Sequence, residues 1–144
     1  GEALVAAMGS WQPFPDTRPA LLQALIAGLR LVIVSNTDRA IMARTLRPLD
    51  LPFDDVIVAE DSGAYKPSTA VFDYALDRLG EAPETILHVA FGFKYDIGPA
   101  EQHGMGTAWV NRHVEPTPPG AHPDFIWRDL WGLAELAGGA GPGI

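Results

Sequence analysis

Ser35 and Asn36 stand at the end of the apolar run Leu31–Val34, in the stretch RLVIVSNTD (30–38). A strand that stops on a hydroxyl and an amide presents both to whatever lies beyond its end. Three later stretches end in the same manner. VIVAED (56–61) leaves Glu60 and Asp61 past its apolar part, with Lys66 shortly beyond. ILHVA (86–90) is followed by Lys94 and Asp96, and GTAWV (106–110) by Asn111 and Arg112. Cations, amides, a hydroxyl and carboxylates thus collect at strand ends. Such a rim suits a small anionic ligand, which answers to local dipoles and single cations rather than to net charge.

Each of these residues also has a plainer use. Ser35 and Asn36 suit a strand-to-helix turn, because Asn tolerates left-handed backbone angles and Ser caps helices. Lys66 and Lys94 suit solvated surface positions, and Glu60 and Asp61 suit a solvated loop. Asp96 suits the N-cap of a helix over 97–103. His88, His103, His113 and His122 lack metal-ligand spacing, and His103 fits the negative end of a helix dipole. Trp109, Trp127 and Trp131 are expected to pack the last strands and helix.

The elements that must position this rim follow from periodicity. Leu21, Leu22, Leu25, Ile26 and Leu29 recur at offsets 0, 1, 4, 5 and 8, as one apolar helix face does. Asp16 or Thr17 is the expected N-cap, with Pro19 in the first turn. Ile41, Met42, Thr45, Leu46 and Leu49 repeat the spacing behind Asp38, and Val71, Phe72, Ala75, Leu76 and Leu79 repeat it before Gly80. Strands are expected at 29–35, 55–59, 85–90, 106–111 and in DFIW (124–127). Helices are expected near 97–103 and 129–137. The alanine-rich residues 2–10 suggest a short helix, broken by WQPFPD (11–16). Strand alternating with helix predicts an α/β fold, a mostly parallel sheet covered on both faces, with function at the carboxyl ends of its strands. Residues 1–137 form the expected core and the Gly-rich residues 138–144 a flexible tail.

Bulk properties bound the function. The chain has 144 residues, suited to one domain, and 47% are hydrophobic, enough for a real core. A net charge of −8 argues against nucleic acid and anionic membranes as partners. Zero cysteines exclude disulfides, thiolate catalysis and cysteine zinc sites. Neither a signal peptide nor an apolar run of about 20 residues is present, so a cytoplasmic protein is the expectation. The first residue is Gly1 rather than Met, which raises the expectation of a processed or partial chain.

VIVSNTD (32–38), AEDSGAYKPSTAVFDYAL (59–76) and ILHVAFGFKYDIGPAEQHGMGTAWVNR (86–112) resemble motifs II, III and IV of the haloacid dehalogenase (HAD) superfamily, dehalogenase-type (type II) branch. WQPFPDTRPALLQAL (11–25) is similar to the segment that re-enters that family's core after its helical cap. The resemblance implies a Rossmann-like, three-layer αβα core and a hydrolase acting through an aspartyl ester. It implies that Ser35 and Asn36 hydrogen-bond the anionic group of a small substrate and that Lys66 offsets charge. It further implies that Asp96 positions water or, in the phosphatase branches, ligates Mg²⁺. Outside those branches it implies no cofactor.

This sequence departs from the family pattern in places. The nucleophile motif, an Asp-x-(Asp or Tyr)-Gly-Thr on the family's central first strand, is not found, and neither are the cap helices that would precede Trp11. The Ser-Ser-Asn of true 2-haloacid dehalogenases is replaced by Phe91-Gly92-Phe93, their Tyr by Phe72, and the second acid of the phosphatases by Gly92. The two phenylalanines imply either an apolar substrate pocket or a loop folded inward. Two readings stay open: a hydrolase whose covalent step these residues cannot run, or a non-catalytic HAD-fold binding module. A sheet lacking its central strand is expected either to close by pairing 31–34 directly with 86–90, or to take a second chain or another copy across that edge.

Overall fold

The computed structural model describes residues 5–8, 14–35, 38–58, 61 and 70–138. The expected α/β fold is present. Six strands form one sheet: β1 (Val5–Met8), β2 (Arg30–Ser35), β3 (Asp55–Val58), β4 (Ile86–Ala90), β5 (Gly106–Val110) and β6 (Phe125–Trp127). Their order is β3-β2-β1-β4-β5-β6, and every neighbouring pair is parallel. The helices are α1 (Thr17–Ile26), α2 (Arg39–Leu46), α3 (Ala70–Leu79), α4 (Gly98–Gln102) and α5 (Trp131–Leu136). Among the described residues no helix is long and apolar enough to cross a membrane.

The centre of the sheet departs from expectation. Residues Val5–Met8 form a strand, not a helix, and this strand lies between β2 and β4. Val5 pairs with Arg30 and Ile86, and Met8 with Ile33 and Val89. Residues 31–34 and 86–90 therefore do not pair directly, and their facing edges do not await a second chain: the chain's own VAAM stretch occupies the slot. Alanine favours a helix when isolated, but a slot between two parallel strands offers backbone partners on both sides that a four-residue helix cannot match.

The sheet is covered on both faces, as its unbroken apolar strands require. On one face Leu31, Ile33, Leu87, Val89, Ala108 and Val110 share a core with Ala20, Leu21 and Ala24 of α1 and Leu133 of α5. On the other, Val32, Val34, Ile57 and Ile86 pack with Val71, Phe72 and Ala75 of α3 and Ala100 of α4. The stripe foreseen for α3 is the buried one. The α1 stripe is rotated: Thr17, Ala20, Leu21 and Ala24 are buried, while Ile26 is 71% exposed. Small alanines let α1 lie close to the sheet, so they win the inner face over larger Leu and Ile.

The fold ends on one tight contact. A Cβ added at Gly132 in α5 would lie 2.3 Å from the Trp127 ring, so only glycine admits the indole there. Gly132→Ala is expected to displace Trp127 and to cost about 1–3 kcal/mol. Urea denaturation followed by tryptophan fluorescence measures this, and an unchanged midpoint would show that the indole relocates freely.

Candidate active site

The strand order places a topological switch point between β1 and β4, because the chain proceeds from β1 to β2 and β3 on one side and from β4 to β5 and β6 on the other. A crevice beyond the carboxyl ends is the usual ligand position in such sheets. Ser35 closes β2 on one side of β1, half-buried and paired in register with Val58. Asp96 follows β4 on the other side. Ser35 thus closes one of the two strands that flank β1, and the turn bearing Asp96 follows the other. Asn36, Lys66 and Glu60 lie outside the described residues, as does the Lys94 side chain.

Asp96 is not on a simple helix start. Phe93–Ile97 form a π-helical turn that leads into α4, closed by the Gly98 N–H donating to the Phe93 carbonyl. The position capping α4 is Ile97, with no side-chain cap. The π turn carries Asp96 back over β4, where its Oδ1 lies 3.1 Å from Nε2 of His88. Both are buried: Asp96 is 2% exposed and His88 0%. Metal-ligand spacing gives no role to His88. Its one signal is an imidazole in the middle of an otherwise apolar strand, ILHVA. The edge of Phe72 packs on it, with ring centroids 5.3 Å apart.

The two phenylalanines of the loop are folded inward. Phe93 meets Trp109 edge-on at 5.2 Å, within a small core of Ala90, Ile97 and Trp109. Phe91 meets Phe14 at 5.7 Å, and its carbonyl accepts from the Trp109 indole N–H at 3.1 Å.

Other rim residues are engaged in structure. Asp16 occupies the N-cap position of α1 without capping it. Its carboxylate instead accepts from Arg112 Nη2 at 2.6 Å through both oxygens and from the Leu130 N–H at 2.9 Å. Burial pushes the Asp16 carboxyl up, but the hydrogen bonds from Arg112 and Leu130 outweigh it and hold the group below the usual aspartate range. The Arg112 guanidinium also lies 3.9 Å from the centre of the Phe14 ring and 5.1 Å from that of Phe91. Asn111 closes a turn with Glu115, donating to its carbonyl at 2.8 Å and accepting its N–H at 2.9 Å. Asp61 is no solvated loop residue: it pairs with Arg39 and accepts the Val58 N–H at 3.1 Å. His103 ends α4 as expected, with its ring nitrogens 2.8 Å from the Pro99 carbonyl and 3.0 Å from Asp73.

Among the described residues no three His, Asp or Glu side chains gather as a metal site. Asp96 alone is a single carboxylate ligand, so these residues by themselves do not build a Mg²⁺ site.

The haloacid dehalogenase-like hydrolase family matches residues 2–104. The chain is similar to (S)-2-haloacid dehalogenase 4A of Burkholderia cepacia, 29% identical over 92% of this chain and 59% of that protein. It is also similar to the pyrimidine 5'-nucleotidase YjjG of Escherichia coli, 30% identical over 94% of this chain and 61% of that one. Among solved structures, a dehalogenase with an intermediate complex superposes with a TM-score of 0.79 at 28% identity, over 85% of this chain and 55% of the other. The chain thus spans about three fifths of the length of these relatives. With the fold, the sheet order and the family match in agreement, the chain belongs to the haloacid dehalogenase-like hydrolases.

Proposed function

We propose that these residues form the anion-holding and water-positioning side of a hydrolase site for a small anionic substrate, of the halocarboxylate or phosphate-ester class. Ser35 and Asn36 donate hydrogen bonds to the anionic group. Lys66 offsets its charge, and Asp96 orients water for hydrolysis of an aspartyl ester. What supports this reading is that Ser35 ends β2 and the turn bearing Asp96 follows β4, the two strands beside β1, in a member of this family. A phosphate substrate would call for Mg²⁺, toward which the described residues offer Asp96 alone.

A second reading, a binding module without turnover, is favoured by one specific feature. The central strand VAAM and the residues after it, Gly9 to Pro15, contain no carboxylate, and the next one, Asp16, is held by Arg112. The 144-residue polypeptide is therefore expected to bind orthophosphate or 2-chloropropionate weakly, with a Kd of about 1 mM. It is expected not to turn over p-nitrophenyl phosphate or 2-chloropropionate. Calorimetric titration should show affinity falling at least about fivefold in Ser35→Ala and in Lys66→Ala, on the order of 1 kcal/mol each. Turnover abolished by Lys66→Ala or Asp96→Asn would overturn the inactive reading; anion affinity indifferent to both Ser35 and Lys66 would overturn the site itself.

A further inference from the structure

His88 is the middle residue of a central parallel strand and is wholly buried. A polar ring in that place costs free energy unless it is partnered. One nitrogen has a partner, Asp96 Oδ1 at 3.1 Å, while the other, Nδ1, has none and is out of reach of solvent. A core role alone would be served as well by Leu or Phe, since the strand is otherwise Ile, Leu, Val and Ala. The geometry of the pair says more. A hydrogen on Nδ1 would orphan a buried donor and point the Nε2 lone pair at a carboxylate oxygen. A hydrogen on Nε2 donates to that oxygen and leaves only an unfilled acceptor, the cheaper deficiency.

The π turn adds to this. Phe93–Ile97 form a π turn between β4 and α4, and the Asp96 carboxylate within it lies against His88 of the strand. The strand supplies the donor that meets it, eight residues earlier in the chain. Phe72 closes the far side of the imidazole edge-on. Ring, carboxylate and turn therefore hold one another in a single arrangement.

We propose that His88 is a positioning residue of the site: its Nε2–H binds Asp96 Oδ1 and helps to fix the orientation of that carboxylate against β4. This rests on the reading of Asp96 as the acid of the site. His88 touches no substrate; it acts through Asp96. Removing the donor takes away one contact that holds the carboxylate, and a less firmly held anion beside a bound anion weakens binding.

The test uses the 144-residue chain. Nitrogen-15 spectra of the wild-type ring are expected to show hydrogen on Nε2 and a bare Nδ1. In His88→Leu, which keeps volume and loses the donor, the Asp96 carboxyl carbon-13 resonance should move and orthophosphate affinity should fall about tenfold. His88→Gln, whose amide can donate to the same oxygen, should restore affinity to within about threefold of wild type. Hydrogen on Nδ1, or a His88→Leu chain that loses thermal stability but keeps both the Asp96 resonance and the phosphate affinity, would overturn the proposal. Should His88→Leu not fold, the wild-type ring spectrum and the His88→Gln carboxyl resonance decide it. Absence of phosphate binding in the wild type would sink the functional reading instead, and the ring spectrum would still judge the His88–Asp96 bond.

Discussion

Arg112→Ala is expected to lower the unfolding free energy by about 3 kcal/mol. For a chain of this size that is a fall in Tm of roughly 10 °C. The guanidinium binds both oxygens of Asp16, which lies 96 positions away in sequence, and stacks on Phe14. Asp16 in turn binds the backbone N–H of Leu130, just before α5. One pair thus ties the start of α1, the end of β5 and the start of α5 together. Its side chains are only 17% and 13% exposed, so removing the cation strands a largely buried carboxylate. Arg112→Lys should recover less than half the loss, because an ammonium neither stacks as a plane nor spans two oxygens as well.

The effect carries a pH signature. The Asp16 carboxyl titrates lower when folded than when unfolded. Its contribution is therefore full above the unfolded value and disappears as pH falls through the folded one. The stability gap between wild type and Arg112→Ala should be constant near neutrality and shrink below about pH 4. Denaturant midpoints from pH 7 down to pH 3 measure this, and a gap independent of pH would contradict the assignment of the clamp to this ion pair.

Phe72→Ala is expected to cost about 3–5 kcal/mol, enough to consume much of the stability of a domain this size. The ring is 0% exposed. It packs edge-on against His88 at 5.3 Å and stacks on His103 at 5.6 Å, which no aliphatic neighbour can replace. Phe72→Leu should lose less, about 1–1.5 kcal/mol, since most of the volume is retained. The alanine variant also uncovers the ring that binds Asp96. Amide exchange in β4 should therefore quicken more in Phe72→Ala than in Gly132→Ala, whose defect lies on the other face. Equal exchange in both would mean that Phe72 supports the sheet only generally.

What the residues foretold and what they did not can be separated by cause. The strands from Arg30 onward and the α3 stripe were legible because an unbroken apolar run and a 3.6-residue period each have one common solution. The buried face of α1 lies a fraction of a turn from the periodic one, since periodicity counts hydrophobicity whereas the sheet selects for close approach, and Ala20 and Ala24 fit where Ile26 does not. The Asp16 carboxylate was legible as a local cap but not as the partner of Arg112, because an ion pair spanning 96 positions has no local signature.

The sequence by itself determined the family, the α/β class and the identity of the polar groups at the strand ends. These depend on residue types at short separations, which survive in any arrangement of the chain. Two matters waited for the tertiary structure. One is the use of Val5–Met8 as the central strand, decided by the two strands that bracket it and not by its own alanines. The other is the His88–Asp96 bond, made between a mid-strand ring and a carboxylate in the π turn that follows the strand, a pairing that no local pattern of residue types announces.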